Sequence, residues 1–367
     1  MPKSTNKNHI KSVALLLVLI LVVFAAVKLS NFASILFQVV FSNKIELQKT
    51  DDHVNILILG IGGGRHEGPD LTDTVIFSSI SSNEQKITLV SIPRDLWSSD
   101  LKHKINAAYA LGEEKKKGGG ITLTKSLIGK ITGQEINYVV VVDFSGFVRA
   151  VDMLGGVDVN LDATFDDYQY PIEGAENDKC GHSDEEIKAF TATVSAEIDL
   201  GQYFSCRYMR IHFDQGPTHM DGKTALAFVR SRHAQGDEGT DFARSKRQEK
   251  IIKAMKDKVL SLNIILNPVK IIGLYDTVKQ SISTDIKNSE IDDFIKLGRK
   301  MQKAKIQSGV LDYGDQATKR PGLLMHPPVS LDYNWEWVLI PREGVADFSE
   351  IVDFVKCEIE AGVCPIK

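Results

Sequence analysis

Residues Val54–Asp95 read VNILILGIGGGRHEGPDLTDTVIFSSISSNEQKITLVSIPRD. Val54–Leu59, apolar except for Asn55, is short enough for a buried strand. It ends in a glycine-rich turn, Gly60-Ile61-Gly62-Gly63-Gly64-Arg65, a type of turn whose backbone N–H groups can face an anion. Neither familiar nucleotide loop fits: Arg65 stands where a dinucleotide fingerprint has its third glycine, and no Gly-Lys-Ser/Thr follows. Two further apolar runs, Thr74–Ile80 and Lys86–Ile92, flank Ser81-Ser82-Asn83-Glu84 and predict a hairpin. Asp73 opens the first of these runs; Arg94 and Asp95 follow the second, after Pro93. Charged side chains at strand ends beside a glycine turn mark the edge where open α/β sheets take ligands.

Outward from this segment, strands and helices alternate. Lys104–Tyr109 starts a short helical stretch, Lys115–Gly120 reads as a solvated loop, and Ile121–Ile131 as an amphipathic helix. Asn137–Asp143 predicts a buried strand, Phe144–Leu154 a helix ended by Gly155-Gly156, and Val157–Val159 an edge strand. Between Asp162 and Gln215 the periodicity loosens into a surface excursion with an acidic-aromatic loop (Asp166, Asp167, Tyr168, Tyr170). Further on, Asn267–Ser281, Ile291–Ala304 and Ser349–Glu360 predict helices and Trp335–Ile340 a late strand. One α/β domain with a layered sheet accounts for the pattern.

A second charged stretch, Asp221–Gln248, sets Arg230 and Arg232 two residues apart before a polar loop. Asp241, Arg244, Arg247 and Gln248 then open a helix that runs to Leu262. Asp241, Arg244 and Gln248 share one side, Arg247 lies at its edge, and Ile251, Ile252, Met255 and Val259 continue it. Guanidinium forks suit phosphate and carboxylate. The helix thus offers a charged end and an apolar end, as for a ligand with an anionic head and a greasy body.

The chain has 367 residues, a net charge of −4 and 25% charged residues, so no global basic field points to nucleic acid. Lys3, Lys7 and Lys11 precede the apolar run Val13–Val27, which Lys28 interrupts. With Lys28 snorkelling, residues 13–37 reach the length of a span. An uncleaved anchor fits better than a signal peptide, since no clear small-residue cleavage site precedes a polar start. The division is a cytoplasmic tail (1–12), an anchor (13–37), a linker (38–52) and an extracytoplasmic domain (53–367). Outside the cytoplasm, Cys180, Cys206, Cys357 and Cys364 suit two bridges; 180–206 and 357–364 are one of three connectivities, and free thiols stay open.

Thr72-Asp73-Thr74, Ser91-Ile92-Pro93-Arg94-Asp95, Lys104–Tyr109, Leu154-Gly155-Gly156-Val157-Asp158, and Asp221-Gly222 leading to Arg230-x-Arg232 and Arg244-x-x-Arg247-Gln248 together resemble, in order, the LytR-CpsA-Psr family. The matches span residues 54–262. The resemblance implies a three-layer α/β/α domain with a mixed central sheet, and a phosphotransferase that moves a glycopolymer from a polyprenyl-pyrophosphate carrier to peptidoglycan or another envelope acceptor. It implies that Arg65, Arg94, Arg230, Arg232, Arg244, Arg247 and Gln248 contact the pyrophosphate. Arg94, Arg230, Arg232 and Asp241 would carry catalysis, and Asp73 would hold Mg²⁺. The family's second metal-binding aspartate follows the first strand; this sequence has Gly62 there, with Glu67 and Asp70 the carboxylates further along the loop. The same head-group site would serve a polyprenyl-pyrophosphate hydrolase or a non-catalytic polymer-binding protein.

Overall fold

The computed structural model describes residues 44–64, 68–193, 201–261, 280–314, 321–362, 364 and 366. No helix among them is long and apolar enough to cross a membrane. The anchor expected at 13–37 lies outside the described residues, as do Arg65, Glu67 and nearly all of the helix expected from Asn267.

Strands β1 (His53–Ile61), β2 (Thr72–Ser81), β3 (Lys86–Ser91), β4 (Trp97–Ser98) and β5 (His103–Lys104) precede helices α1 (Ala108–Lys115) and α2 (Gly119–Thr132). β6 (Tyr138–Asp143) runs into α3 (Phe144–Met153), followed by β7 (Val157–Leu161), β8 (Phe165–Pro171), α4 (Asp184–Thr193), β9 (Tyr208–Phe213) and β10 (Gly216–Met220). Then come α5 (Gly222–Arg230), α6 (Asp241–Ser261), β11 (Ile282–Thr284), α7 (Ile291–Lys300), β12 (Lys305–Val310), β13 (Leu324–Met325), β14 (Ile340–Pro341) and α8 (Ser349–Glu360).

The described residues divide into two compact units, one drawn from residues 48–286 and 303–366 and the other from residues 44–47 and 287–302. In the smaller unit, Lys296 of α7 bridges Asp292 and Asp293 at 2.9 Å each, and Asp293 also accepts from the Glu46 N–H.

The larger unit is built on a six-stranded sheet of order β11-β6-β1-β2-β3-β12. The sheet is mixed: β1/β6 and β3/β12 are parallel, whereas β1/β2, β2/β3 and β6/β11 are antiparallel. The expected hairpin is the β2–β3 pair. Alternate residues of the central strands (Leu57, Leu59, Val75, Phe77, Val139, Val141) face one way and pack against Leu127, Ile128 and Ile131 of α2 and Ile351 and Val355 of α8. The Lys115–Gly120 loop is shorter than the sequence suggests. Gly119 already lies in α2, pressed so closely on α1 that a Cβ there would meet the Gly112 carbonyl at 2.3 Å. On the other face, α6 lies against Ile76 and Leu89, and Glu249 accepts from the Ser308 hydroxyl at 2.5 Å.

A second core joins α3, α5 and α6 to the β7–β10 and β8–β9 ribbons, through Val151, Val157, Phe165, Phe213, Phe228 and Ile251. The region 162–215, read as a loose excursion, therefore supplies a strand pair and core aromatics, with α4 and a Cys180–Cys206 bridge at its tip. The other bridge joins Cys357 to Cys364. Trp335–Ile340 does not form the strand expected. Asn334 and Trp335 take left-handed backbone (φ 54° and 60°), and only the last two residues pair: Leu339 bridges Leu96, and Ile340 pairs with Met325 of β13.

Candidate active site

Asp73 owes its position to a β-bulge. Gly60 pairs with Thr74 and Ile61 with Thr72, so Asp73 is the extra residue of β2. Such bulges re-aim a side chain at a strand end. Past the end of β3, Pro93 turns the chain, and the Arg94 carbonyl accepts from the Asn106 N–H at 3.2 Å. Arg94 is ion-paired with Asp73, and its Nε lies 3.5 Å from Asp95 Oδ2. That buried Nε–H makes no hydrogen bond. Burial opposes the charge on Arg94, but the carboxylates of Asp73 and Asp95 outweigh it and raise its pKa. Asp95 also pairs with Lys104 at 3.1 Å, and Lys104 with Glu336 at 3.3 Å.

Facing this sheet edge is the turn between α5 and α6. Asp221 caps α5, its carboxylate accepting from the Thr224 N–H at 2.8 Å, and Arg230 ends the helix. The Arg230 guanidinium lies over the Phe144 ring, 4.1 Å from its centroid. Asp73, Thr74, Arg94, Arg230, Arg232, Arg244 and Gln248 line one cavity of about 290 Å³. This is near the lower end of the usual range for ligand pockets. Gln248 donates to the Thr74 hydroxyl at 3.3 Å, tying α6 to β2.

Arg247 is placed differently. It is 2% exposed and does not line the cavity. Its guanidinium donates to the carbonyls of Phe228 (3.0 Å), Ser231 (2.8 Å) and Glu238 (2.6 Å), and lies over the Phe165 ring. Burial lowers its pKa against the pull of Glu238, yet a guanidinium stays charged. Arg247 thus holds the Arg230–Arg232 turn from beneath. Asp167 holds it from the other side: its carboxylate, fully buried, accepts from the Ser231 hydroxyl, the His233 N–H (3.3 Å) and the Gln169 N–H (2.8 Å).

The split between Arg244 and Arg247 follows from helix geometry. Arg244, Gln248 and Ile252 form one i, i+4, i+8 stripe, and Arg247, Ile251 and Met255 the next. The first stripe faces the cavities and the second the core. Beyond Gln248, a small pocket of about 20 Å³ shares Arg94, Arg244 and Gln248 with the main cavity. It adjoins a space of about 100 Å³ under α6, where Ile76, Leu89, Ile252 and Val310 form an apolar strip rimmed by Ser91, Ser245, Lys246, Glu249 and Ser308. Of the four apolar candidates, Ile252 lines this seam. Ile251 is a buried member of the second core, Met255 packs against that core, and Val259 is half-buried. The Asp241 side chain lies outside the described ones.

Asp167, Gln169, Tyr170, Tyr208 and His233 also line the cavity and were not singled out as site residues from the sequence. Burial raises the Tyr170 pKa against the nearby Arg230, so its phenol stays protonated at neutral pH. Asp166-Asp167-Tyr168-Gln169-Tyr170 gathers two acidic and two aromatic residues in five positions, the sequence signal that marks this strand.

Comparison with known proteins adds the lineage. A protein of Oceanobacillus iheyensis named polyisoprenyl-teichoic acid–peptidoglycan teichoic acid transferase TagU is 29% identical over 244 residues, 66% of this chain and 61% of the relative. The chain therefore spans about three fifths of that relative's length. Among solved structures, Lin1025 from Listeria innocua matches with TM-score 0.53 at 22% identity, covering 84% of this chain and 98% of the other. A structure described as TagT bound to LI-WTA matches with TM-score 0.52 at 20% identity, covering 88% and 96%. At these identities the structural matches speak to the fold. The LytR_cpsA_psr family pattern matches residues 28–320, and the chain belongs to that family.

Proposed function

We propose that this protein is a membrane-anchored phosphotransferase. It moves a glycopolymer from a polyprenyl-pyrophosphate carrier to a hydroxyl of peptidoglycan or another envelope acceptor. The observation that carries the reading is the convergence of Arg94, Arg230, Arg232 and Arg244 with Asp73 on one cavity that continues into an apolar seam under α6. The transferase name of TagU and the ligand in the TagT structure's title support it. Two formed disulfides suit an oxidising compartment. Anchorage through 13–37 and α/β/α layering belong to the same reading.

In this reading the acceptor oxygen attacks the phosphorus next to the sugar. A new P–O bond forms, the pyrophosphate P–O bond breaks, polyprenyl phosphate leaves, and the hydroxyl proton is released. Charge grows on phosphoryl oxygens, where fixed guanidinium donors stabilise it without reorganisation. The Arg94 guanidinium, on the cavity wall, would supply such donors. The apolar seam takes the start of the lipid tail. Asp241 would orient an arginine or take the acceptor's proton.

Asp73, one of whose oxygens is paired with Arg94, would be the carboxylate offered to a cation; Asp167 is already held by three donors. Among the described residues no three ligating side chains gather at the cavity; the one such group, Asp178, Cys180 and Cys206, contains a disulfide. A single carboxylate still suits Mg²⁺, which binds through one or two carboxylates and substrate phosphates. Bound there, the ion would neutralise phosphoryl charge.

The test incubates the full chain with a short lipid-linked saccharide and a peptidoglycan fragment, with Mg²⁺ or with EDTA. Polyprenyl phosphate released with sugar joined to the fragment, and lost on chelation and in Arg94→Ala and Arg232→Ala, is the expected result. Release without transfer would make it a hydrolase. Lipid binding without turnover would sink the enzyme reading.

A further inference from the structure

We infer that the turn Leu331–Trp337 is a saccharide-binding platform for the acceptor glycan. This rests on reading the neighbouring cavity as the pyrophosphate site. Leu331 is 73% exposed, Trp335 68% and Trp337 43%. Such a concentration of large exposed apolar side chains marks an interaction surface.

The turn is built to present them. Trp335 has φ 60°, a backbone state in which a bulky residue is an outlier. It persists because its N–H donates to the Ser330 carbonyl and the Glu336 N–H to the Tyr333 carbonyl, each at 2.9 Å. Tyr333 anchors the turn from below, edge-on to Trp97 at 5.5 Å. Trp337 has one face on His326 at 4.9 Å. Strain of this kind gathers at ligand clamps.

The chemistry of the turn selects the occupant. Exposed indoles interleave with Asp332, Asn334 and Glu336, side chains that accept or donate hydrogen bonds to hydroxyls. A sugar ring has the matching pair of surfaces, a C–H face for the indole and a rim of hydroxyls. The Asn334 amide donates to the Lys102 carbonyl at 3.0 Å, which fastens the turn to the segment before β5. Two carboxylates in the turn disfavour an anionic lipid surface, which calls for basic residues. Location completes the case: Glu336 pairs with Lys104, Lys104 with Asp95, and Asp95 with Arg94. The platform therefore lies one short chain of ion pairs from the phosphate-binding arginine.

Trp97 is buried, so two of the three tryptophans are on the platform, and fluorescence reads it directly. Full-length chain in nanodiscs is titrated with a soluble disaccharide-peptide fragment of peptidoglycan. A saturable emission change is expected. Trp335→Ala should weaken binding about tenfold, Trp335→Phe should restore part of it, and Arg94→Ala should leave it intact. No saturable change, or an unaltered one in Trp335→Ala, would overturn the platform. So would quenching of Trp335 by brominated phosphatidylcholine in the disc, which would mean that the turn faces lipid. Fragment binding that depends on Trp335, with no transfer by the wild type, supports the platform and counts against the phosphotransferase reading.

Discussion

The two walls of the cavity bring the same charge to the same place by different means. On the sheet side, Arg94 is paired with the carboxylate of Asp73, a partner that phosphate oxygens can compete with. On the turn side, Arg230 ends α5 and Arg232 stands on the turn that follows, whose backbone is held by two side chains from opposite sides. Arg247 takes three carbonyls, and Asp167 takes a hydroxyl and two N–H groups. An arginine facing carboxylate and cavity is available to a ligand. An arginine buried among carbonyls is part of the frame.

The comparison breaks most sharply at Arg247. Arg247→Met leaves three carbonyls without their donor and should cost about 3–5 kcal/mol, read as a lower urea midpoint, with transfer activity falling alongside. Unchanged stability would return Arg247 to the ligand-contact group. Arg94→Ala should do the opposite, cutting transfer about 10²–10³-fold with little change in the midpoint; a large stability loss would make it a frame residue too. Ser231→Ala removes one donor from buried Asp167 and should cost about 1–2 kcal/mol. It should also raise KM for the lipid-linked substrate, because the turn loosens; an unmoved KM would separate Asp167 from the site. Gln248→Ala loses one 3.3 Å bond to Thr74 and should cost at most about 1 kcal/mol. Away from both walls, burial raises the Glu358 pKa against the Cys364 N–H. The folded state then binds the extra proton, so this group's share of stability is present below the usual glutamate pKa and lost as pH rises through the shifted one. Glu358→Gln should flatten that part of a stability–pH curve; an identical curve would refute it.

Much of the sheet side was legible. Apolar runs bounded by turn residues located β1, β2, β3 and β6, and charged residues at strand ends located Asp73 and Arg94. The bulge was not, because it is a mismatch between two strands and neither carries it alone. On the turn side the arginines were legible as a group, but not their division. Arg244 and Arg247 are about 60° apart on the helix, and which stripe met the core depended on β7–β10 and β8–β9. The second of these ribbons lies in the one region whose periodicity is weak, and β8 takes its place by pairing with β9 across 36 intervening residues, Ile172 to Arg207. Asp167 therefore looked like any acidic residue on a loop. The C-terminal strand failed for a local reason: WEWVLI has β propensity, but its first residue follows Asn334 into left-handed backbone.

The bulge at Asp73 also sets what sequence change this strand can tolerate. A substitution at 73 alters the ligand set and leaves β2 paired as before. A deletion there closes the bulge: Thr74 stays opposite Gly60 and Thr72 opposite Ile61, but the extra residue that bends the strand end toward the cavity is gone. Chain length at this point is thus a harder inheritance for the site than residue identity, and a deletion scan through residues 71–75 should be less forgiving of transfer activity than a substitution scan of the same positions.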